Sequence, residues 1–236
     1  MSKGVAIVTG SGFGKSTSIG HIPELGIEGL DPNKTLVINV KGKPLPFRGW
    51  RKQYKPIDIS QPPLQGNYLE TTDPHLIIKT LQFFDANRFD IENIVIDDFQ
   101  YLMAEQFMND ALKTGYEKFS KLAKNAYDVI NSGLKMRDSV NFIILTHSEV
   151  DMKGDMKMKT IGKLLDEKIT LEGLFTIILY GKSSYDNTEK KSTKEFVTNF
   201  DGEFPSKSPI GLFKDLYIKN DLGLVVKTMN DYYDGE

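Results

Sequence analysis

The chain is 236 residues long, with 39% hydrophobic and 26% charged residues, the balance of a folded globular protein rather than a disordered one. Thirty basic residues against 32 acidic ones leave a net charge of −2, so any nucleic-acid site must be local rather than a property of the whole surface. The absence of cysteine excludes disulfides, thiolate metal centres and thiol catalysis, and three histidines (His21, His75, His147) make a histidine-built metal centre a poor expectation.

In chain order, Gly4–Thr9 is a β-branched run that reads as a buried parallel strand. A glycine-rich turn follows, then Lys15–Ile22 as the start of a helix and Thr35–Val40 as a second buried strand. Lys41–Thr72 is rich in Pro, Gly, Arg and Lys and reads as a long irregular loop with room for short strands. Asp73-Pro74 has the form of an N-cap followed by proline in the first turn, which predicts a helix to about Asn87. Asn93–Asp97 is a third strand. Glu105–Asn131 predicts a long helix, broken near Gly115, with Phe107, Ala111, Phe119, Leu122, Ala126 and Val129 or Ile130 as its apolar stripe. Val140–Thr146 is a fourth strand, Ser148–Lys159 a charged loop, Ile161–Leu171 a short helix and Leu174–Tyr180 a fifth strand. Beyond Lys182, Glu195–Phe200 and Leu224–Lys227 look strand-like.

Buried strands alternating with helices predict an α/β fold with a mainly parallel sheet. The expectation is one domain over 1–236, with a core of about 1–181 and a C-terminal strand-and-loop extension of about 182–236. No apolar run approaches the roughly 18 residues that span a bilayer, and the first apolar stretch is too short for a signal peptide. A soluble cytoplasmic protein without a membrane partner is therefore expected.

The strongest local signal is GSGFGKST, Gly10–Thr17, between a buried strand and a helix start. A phosphate chain is held by several backbone N–H groups pointing inward, and glycines at Gly10, Gly12 and Gly14 let the backbone close around it. Ser11, Phe13 and Thr17 complete the loop. Lys15 would reach the β- and γ-phosphates, and the Ser16 hydroxyl would hold Mg²⁺. The pattern G-x-x-x-x-G-K-[ST] is met except at its first glycine, where Thr9 stands.

Such a loop is completed by a carboxylate at the end of a neighbouring strand, and NIVIDDFQ supplies two, Asp97 and Asp98. Asp97 is the metal-side residue. Asp98 could polarise an attacking water, and either could instead cap the following helix. The fourth strand ends Thr146-His147-Ser148-Glu149, at the edge where ligands of open α/β sheets sit. Thr146 or His147 is a candidate γ-phosphate contact, with a strand-end histidine bonded to nearby backbone as the alternative for His147. Glu149 is a reserve general base.

Two basic segments are candidates for nucleic acid. DMKGDMKMKTIGK carries Lys153, Lys157, Lys159 and Lys163. KGKPLPFRGWRKQYK carries Lys41, Lys43, Arg48, Arg51, Lys52 and Lys55, interleaved with Phe47, Trp50 and Tyr54 on which bases could stack. A solvated loop is the alternative for the first segment, and a structural or subunit-contact loop for the second.

The blocks GSGFGKST, NIVIDDFQYLM, FIILTHSE, KTIGKLLDEKITLEGLFTIILY and KSPIGLF, in this order, resemble phage-encoded AAA-type P-loop ATPases with a RecA-like core, some of which act in single-strand DNA annealing or recombination. The resemblance runs from the first strand to about Phe213. It implies ATP and Mg²⁺ as ligands, ring or filament assembly of identical subunits, and single-stranded DNA as partner, with a single-strand-binding protein as a further one. Carried over by position, Lys15 and Ser16 take the phosphate-loop roles, Asp97 the magnesium role, and the segment after His147 the place of a DNA-binding loop. No glutamate follows the second strand, where RecA-type ATPases carry a base. A cation supplied by the neighbouring subunit is also implied, with Lys182 and Lys207 as candidates. A nucleotide kinase, a helicase or packaging motor, and a non-catalytic ATP-gated scaffold are the rival readings. Phosphoryl transfer to a nucleoside monophosphate, strand separation or translocation, and binding without turnover would mark them respectively.

Overall fold

The computed structural model describes residues 1–60, 64–162, 164–188 and 190–235, so Lys163 lies outside the described residues. The strands are β1 (Lys3–Thr9), β2 (Thr35–Asn39), β3 (Tyr68–Glu70), β4 (Asn93–Asp97), β5 (Asn141–Val150), β6 (Met156–Met158), β7 (Ile177–Asp186), β8 (Lys191–Val197) and β9 (Tyr217–Lys219). The α-helices are α1 (Trp50–Gln53), α2 (Pro74–Asn87), α3 (Gln100–Asn109), α4 (Glu117–Leu134) and α5 (Leu222–Tyr233). The sheet runs β3-β2-β4-β5-β1-β7-β8-β9, parallel from β3 through β7 and antiparallel beyond, with β6 folded back on β5. This is the expected α/β architecture with a mainly parallel sheet flanked by helices.

The sheet is buried on both faces, which is why its central strands are apolar without interruption. Alternation sorts the side chains. Ala6, Val8, Ile94, Ile96, Phe142 and Ile144 face the layer of α2, α3 and α4, while Val5, Ile7, Val95, Ile143 and Leu145 face α5 and the 45–54 segment. Each such aliphatic side chain contributes roughly 1.5–3 kcal/mol by leaving water. Asp73 caps α2 as expected, its carboxylate accepting from the His75 N–H at 2.9 Å.

Four expectations need correction. Ser16–Ile19 is a single 3₁₀ turn rather than the start of an α-helix; Gly20 ends it, and a Cβ there would lie 2.4 Å from the Phe47 ring. The break expected near Gly115, by contrast, is present: α3 and α4 are separated by residues 110–116 with Gly115 at φ +91°, so Ala111 is exposed while Phe107 and Phe119 still meet at 5.8 Å between ring centroids. The charged segment 148–159 is largely a β-hairpin formed by β5 running on to Val150 and returning as β6. Leu224–Lys227 is helical, inside α5, because Leu222, Val225, Val226 and Met229 recur at helical spacing against the sheet. Similarly, the expected 161–171 helix is a five-residue π turn, Leu164–Lys168, and a 3₁₀ turn, Leu171–Leu174.

Candidate functional site

The glycine-rich loop leaves the carboxyl end of β1, and Gly12 (φ +75°) and Gly14 (φ +101°) adopt backbone conformations that side-chain-bearing residues avoid. Among the described residues, the N–H groups of Gly12, Gly14, Lys15 and Ser16 take no acceptor from the protein. Phe13 turns into the core and stacks on Phe196 at 6.0 Å, which pins the loop to β8. Gly181 of β7 permits this, since a Cβ there would come within 2.8 Å of the Phe13 ring. Lys194 of β8 donates to the Gly12 carbonyl at 2.9 Å, and the Asn220 amide to the Gly14 carbonyl at 3.1 Å.

One strand, β5, separates β1 from β4, yet their carboxyl ends converge. Ser16 Oγ donates to Asp97 Oδ1 at 2.9 Å. Lys15 Nζ lies 2.8 Å from Asp98 Oδ1 and 2.8 Å from His147 Nε2. His147 sits beside Thr9 in the β1–β5 register and contacts Asp98 at 3.6 Å. The structure thus brings together Lys15, Ser16, Asp97, Asp98 and His147 from three separate stretches of chain.

The two carboxylates are driven apart electrostatically. Burial, and then the charge of Asp98, push Asp97 up to about 6, against the weaker pull of Ser16 and Lys15. Burial also works against ionised Asp98, but contacts to His147, Lys15 and Lys43 outweigh it and hold its carboxyl well below the usual carboxylate range. Asp98 has φ +60°, a conformation uncommon outside glycine, so its backbone is held in place by its surroundings.

The remaining expected residues divide. Glu149 faces Lys157 across the hairpin at 3.3 Å. Lys153 lies exposed at the hairpin turn and Lys159 is exposed at its base, where its N–H donates to the His147 carbonyl at 2.8 Å. Arg48 and Arg51 are exposed, and Arg51 stacks on Trp50 at 5.1 Å. Trp50 is half-buried against Tyr68, and Phe47 and Tyr54 are core residues, so they are not platforms for bases. Lys182 is bound to Asp201 at 3.1 Å within its own chain and is not a free cation for a neighbour. Lys207 is exposed, with its backbone bridged to Ile178.

Three contributors escaped the sequence reading. Gln100 Oε1 accepts from Thr146 Oγ1 and from the His147 N–H, both at 3.2 Å, and so fixes the end of β5. Its place three residues after Asp97 was a weak signal. Lys43, read as part of a basic loop, reaches Asp98 Oδ2 at 2.9 Å. Next to the loop lies an open cleft of about 530 Å³ lined by Phe13, Gly14, Thr17, Ile27, Lys194 and Asn220, for which no sequence signal existed.

No protein-family model matches the sequence. No curated protein matches it either. Among solved structures it is similar to a KaiC-like protein from the hyperthermophilic archaeon Pyrococcus horikoshii, at 11% identity and a TM-score of 0.44, covering 87% of this chain and 82% of that one.

Proposed function

We propose that the protein binds ATP with Mg²⁺ and hydrolyses it slowly. The observation that carries this is the meeting of Lys15 and Ser16, on a loop with free backbone donors, with the buried Asp97 and Asp98 of β4. The triphosphate would lie along Gly12–Thr17 and the nucleoside in the adjoining cleft, whose volume is of the size small ligands occupy.

The residues present suit magnesium. Among the described residues no cluster of three or more His, Asp or Glu forms a metal cage. One hydroxyl and one carboxylate are what a cation needs when it keeps several waters and shares the substrate's phosphates. When bound, Mg²⁺ would offset charge on the phosphate oxygens. Lys15 orients and neutralises the terminal phosphate. Asp98, held ionised, polarises the attacking water as the water oxygen bonds to the γ-phosphorus and the bond to the bridging oxygen breaks, the water's proton passing to the released phosphate beside ADP. His147, whose carbonyl holds the base of the β5–β6 hairpin, links the state of this site to that hairpin.

Single-stranded DNA as the polymer acted on, by a ring or filament of identical subunits, is the accompanying proposal. It is supported by two basic segments, around Arg48–Arg51 and Lys153–Lys159, that leave the same carboxyl edge of the sheet with β4 between their parent strands.

Calorimetric titration of Mg·ATP, followed by turnover with and without single-stranded DNA and a mass measurement of the particle, tests the reading. Micromolar binding that Lys15→Ala abolishes is expected. Absence of heat in the unaltered protein would remove it.

A further inference from the structure

The loop after β2 brings a second ammonium group to the site. Asn39 ends β2, in register with Asp97 on β4, and is 1% exposed. Its amide donates to the Lys43 carbonyl at 2.7 Å and to the Tyr68 hydroxyl at 2.9 Å, while its Oδ1 accepts from the Gly42 N–H at 2.8 Å. One buried side chain therefore clamps the backbone of Gly42 and Lys43. The Lys43 side chain crosses the Tyr101 ring at 4.8 Å, and its Nζ reaches Asp98 Oδ2 at 2.9 Å. Asp98 Oδ1 is the atom that meets Lys15. Two lysines from different loops are thus spaced across one carboxylate, a span comparable to that between two oxygens of one phosphoryl group.

Resting on the nucleotide-binding reading above, we propose that Lys43 is a cation supplied within the same chain that contacts the terminal phosphate of a nucleoside triphosphate and distinguishes it from a diphosphate. In the free protein the single Asp98 carboxylate pairs with both Lys15 and Lys43. A terminal phosphate arriving against Lys15 lies within reach of Lys43 and takes both ammonium groups from Asp98, which is thereby released towards water.

The local fold gives this cation work to do. A helix N-terminus normally adds its dipole to a phosphate loop, but here a four-residue 3₁₀ turn follows Lys15, so that contribution is small and side-chain charge must replace it. The other nearby cations are engaged elsewhere: Lys41 with Glu105, Lys182 with Asp201 and Lys194 with the Gly12 carbonyl. Lys43 approaches from the solvent side, its side chain being 55% exposed.

The test is calorimetry of a slowly hydrolysed ATP analogue and of ADP, each with Mg²⁺, on the unaltered protein and on Lys43→Ala and Lys43→Arg. The expected result is a loss of tenfold or more in analogue affinity for Lys43→Ala, ADP affinity within twofold, and substantial recovery in Lys43→Arg. Equal loss for both nucleotides, or none for either, overturns the role of Lys43 while leaving nucleotide binding intact. An unaltered protein that binds neither nucleotide overturns the underlying reading along with it.

Discussion

At the scale of single residues the site is governed by two adjacent carboxylates that cannot share the same environment. Asp98 is paid in contacts to two lysines and a histidine, whereas Asp97 has one hydroxyl and is pushed up to about 6 by burial and by its neighbour's charge. The folded state therefore holds a proton on Asp97 that the unfolded chain has lost above about pH 4. Stability contributed at this position falls as pH rises from about 4 to about 6, and the full cost, of order 3 kcal/mol, persists above that. Asp97→Asn is accordingly expected to raise the melting temperature at pH 7.5 in the absence of divalent cations, with the gain vanishing towards pH 4. Thermal unfolding across that range with a chelator present reads it directly. The same protonation competes with a metal, so Mg·nucleotide affinity in the unaltered protein should weaken as pH drops through about 6. A pH-independent affinity between 5 and 7.5 would show that Asp97 is not on the metal side.

At the scale of elements, two close approaches hold the site's frame. Helix α4 reaches the sheet through Gly133, where a Cβ would sit 2.2 Å from the Phe142 ring, itself stacked on Phe175. Gly133→Ala should cost about 1–3 kcal/mol by overpacking, visible as a lower denaturant midpoint. At the other end of the sheet, Asp201 accepts from the N–H groups of Glu203 and Phe204, from Lys182 and from the Tyr217 hydroxyl. These contacts, acting against its burial, hold its carboxyl well below the ordinary range. Its contribution is present above the usual carboxylate pKa and lost as pH falls below about 4. Asp201→Ala should destabilise by about 1–2 kcal/mol at neutral pH, since it removes the shared acceptor of four donors that are part-buried or exposed. A loss near zero would mean that the 198–217 segment is held by its apolar contacts alone.

At the scale of the whole molecule, the β5–β6 hairpin is the element that could turn events at Lys15 into motion elsewhere, because its base is bonded to the His147 carbonyl and its turn presents Lys153. If single-stranded DNA is the partner, Lys153→Glu together with Arg51→Glu should bring the rate with DNA down towards the rate without it, measured as phosphate release. Stimulation equal to that of the unaltered protein would detach both segments from DNA binding.

The sequence by itself determined the five central strands β1, β2, β4, β5 and β7, the α2 cap, the glycine loop and the Asp97-Asp98 step, because these follow from local rules: β-branched runs, cap chemistry and the need for bare backbone around phosphate. It also placed a break near Gly115. Tertiary contacts decided the rest. Gly20 packing on Phe47 stopped a helix that the Lys15–Ile22 residues would otherwise start. Lys41–Thr72 offered equal grounds for a surface loop and a structural one, and only the burial of Phe47 and Tyr54 and the clamp of Asn39 on Lys43 turned part of it into the rim of the site. Pairings between residues tens of positions apart leave no periodicity to read, so which lysine meets which carboxylate is settled by how the strands order themselves, with β5 between β1 and β4.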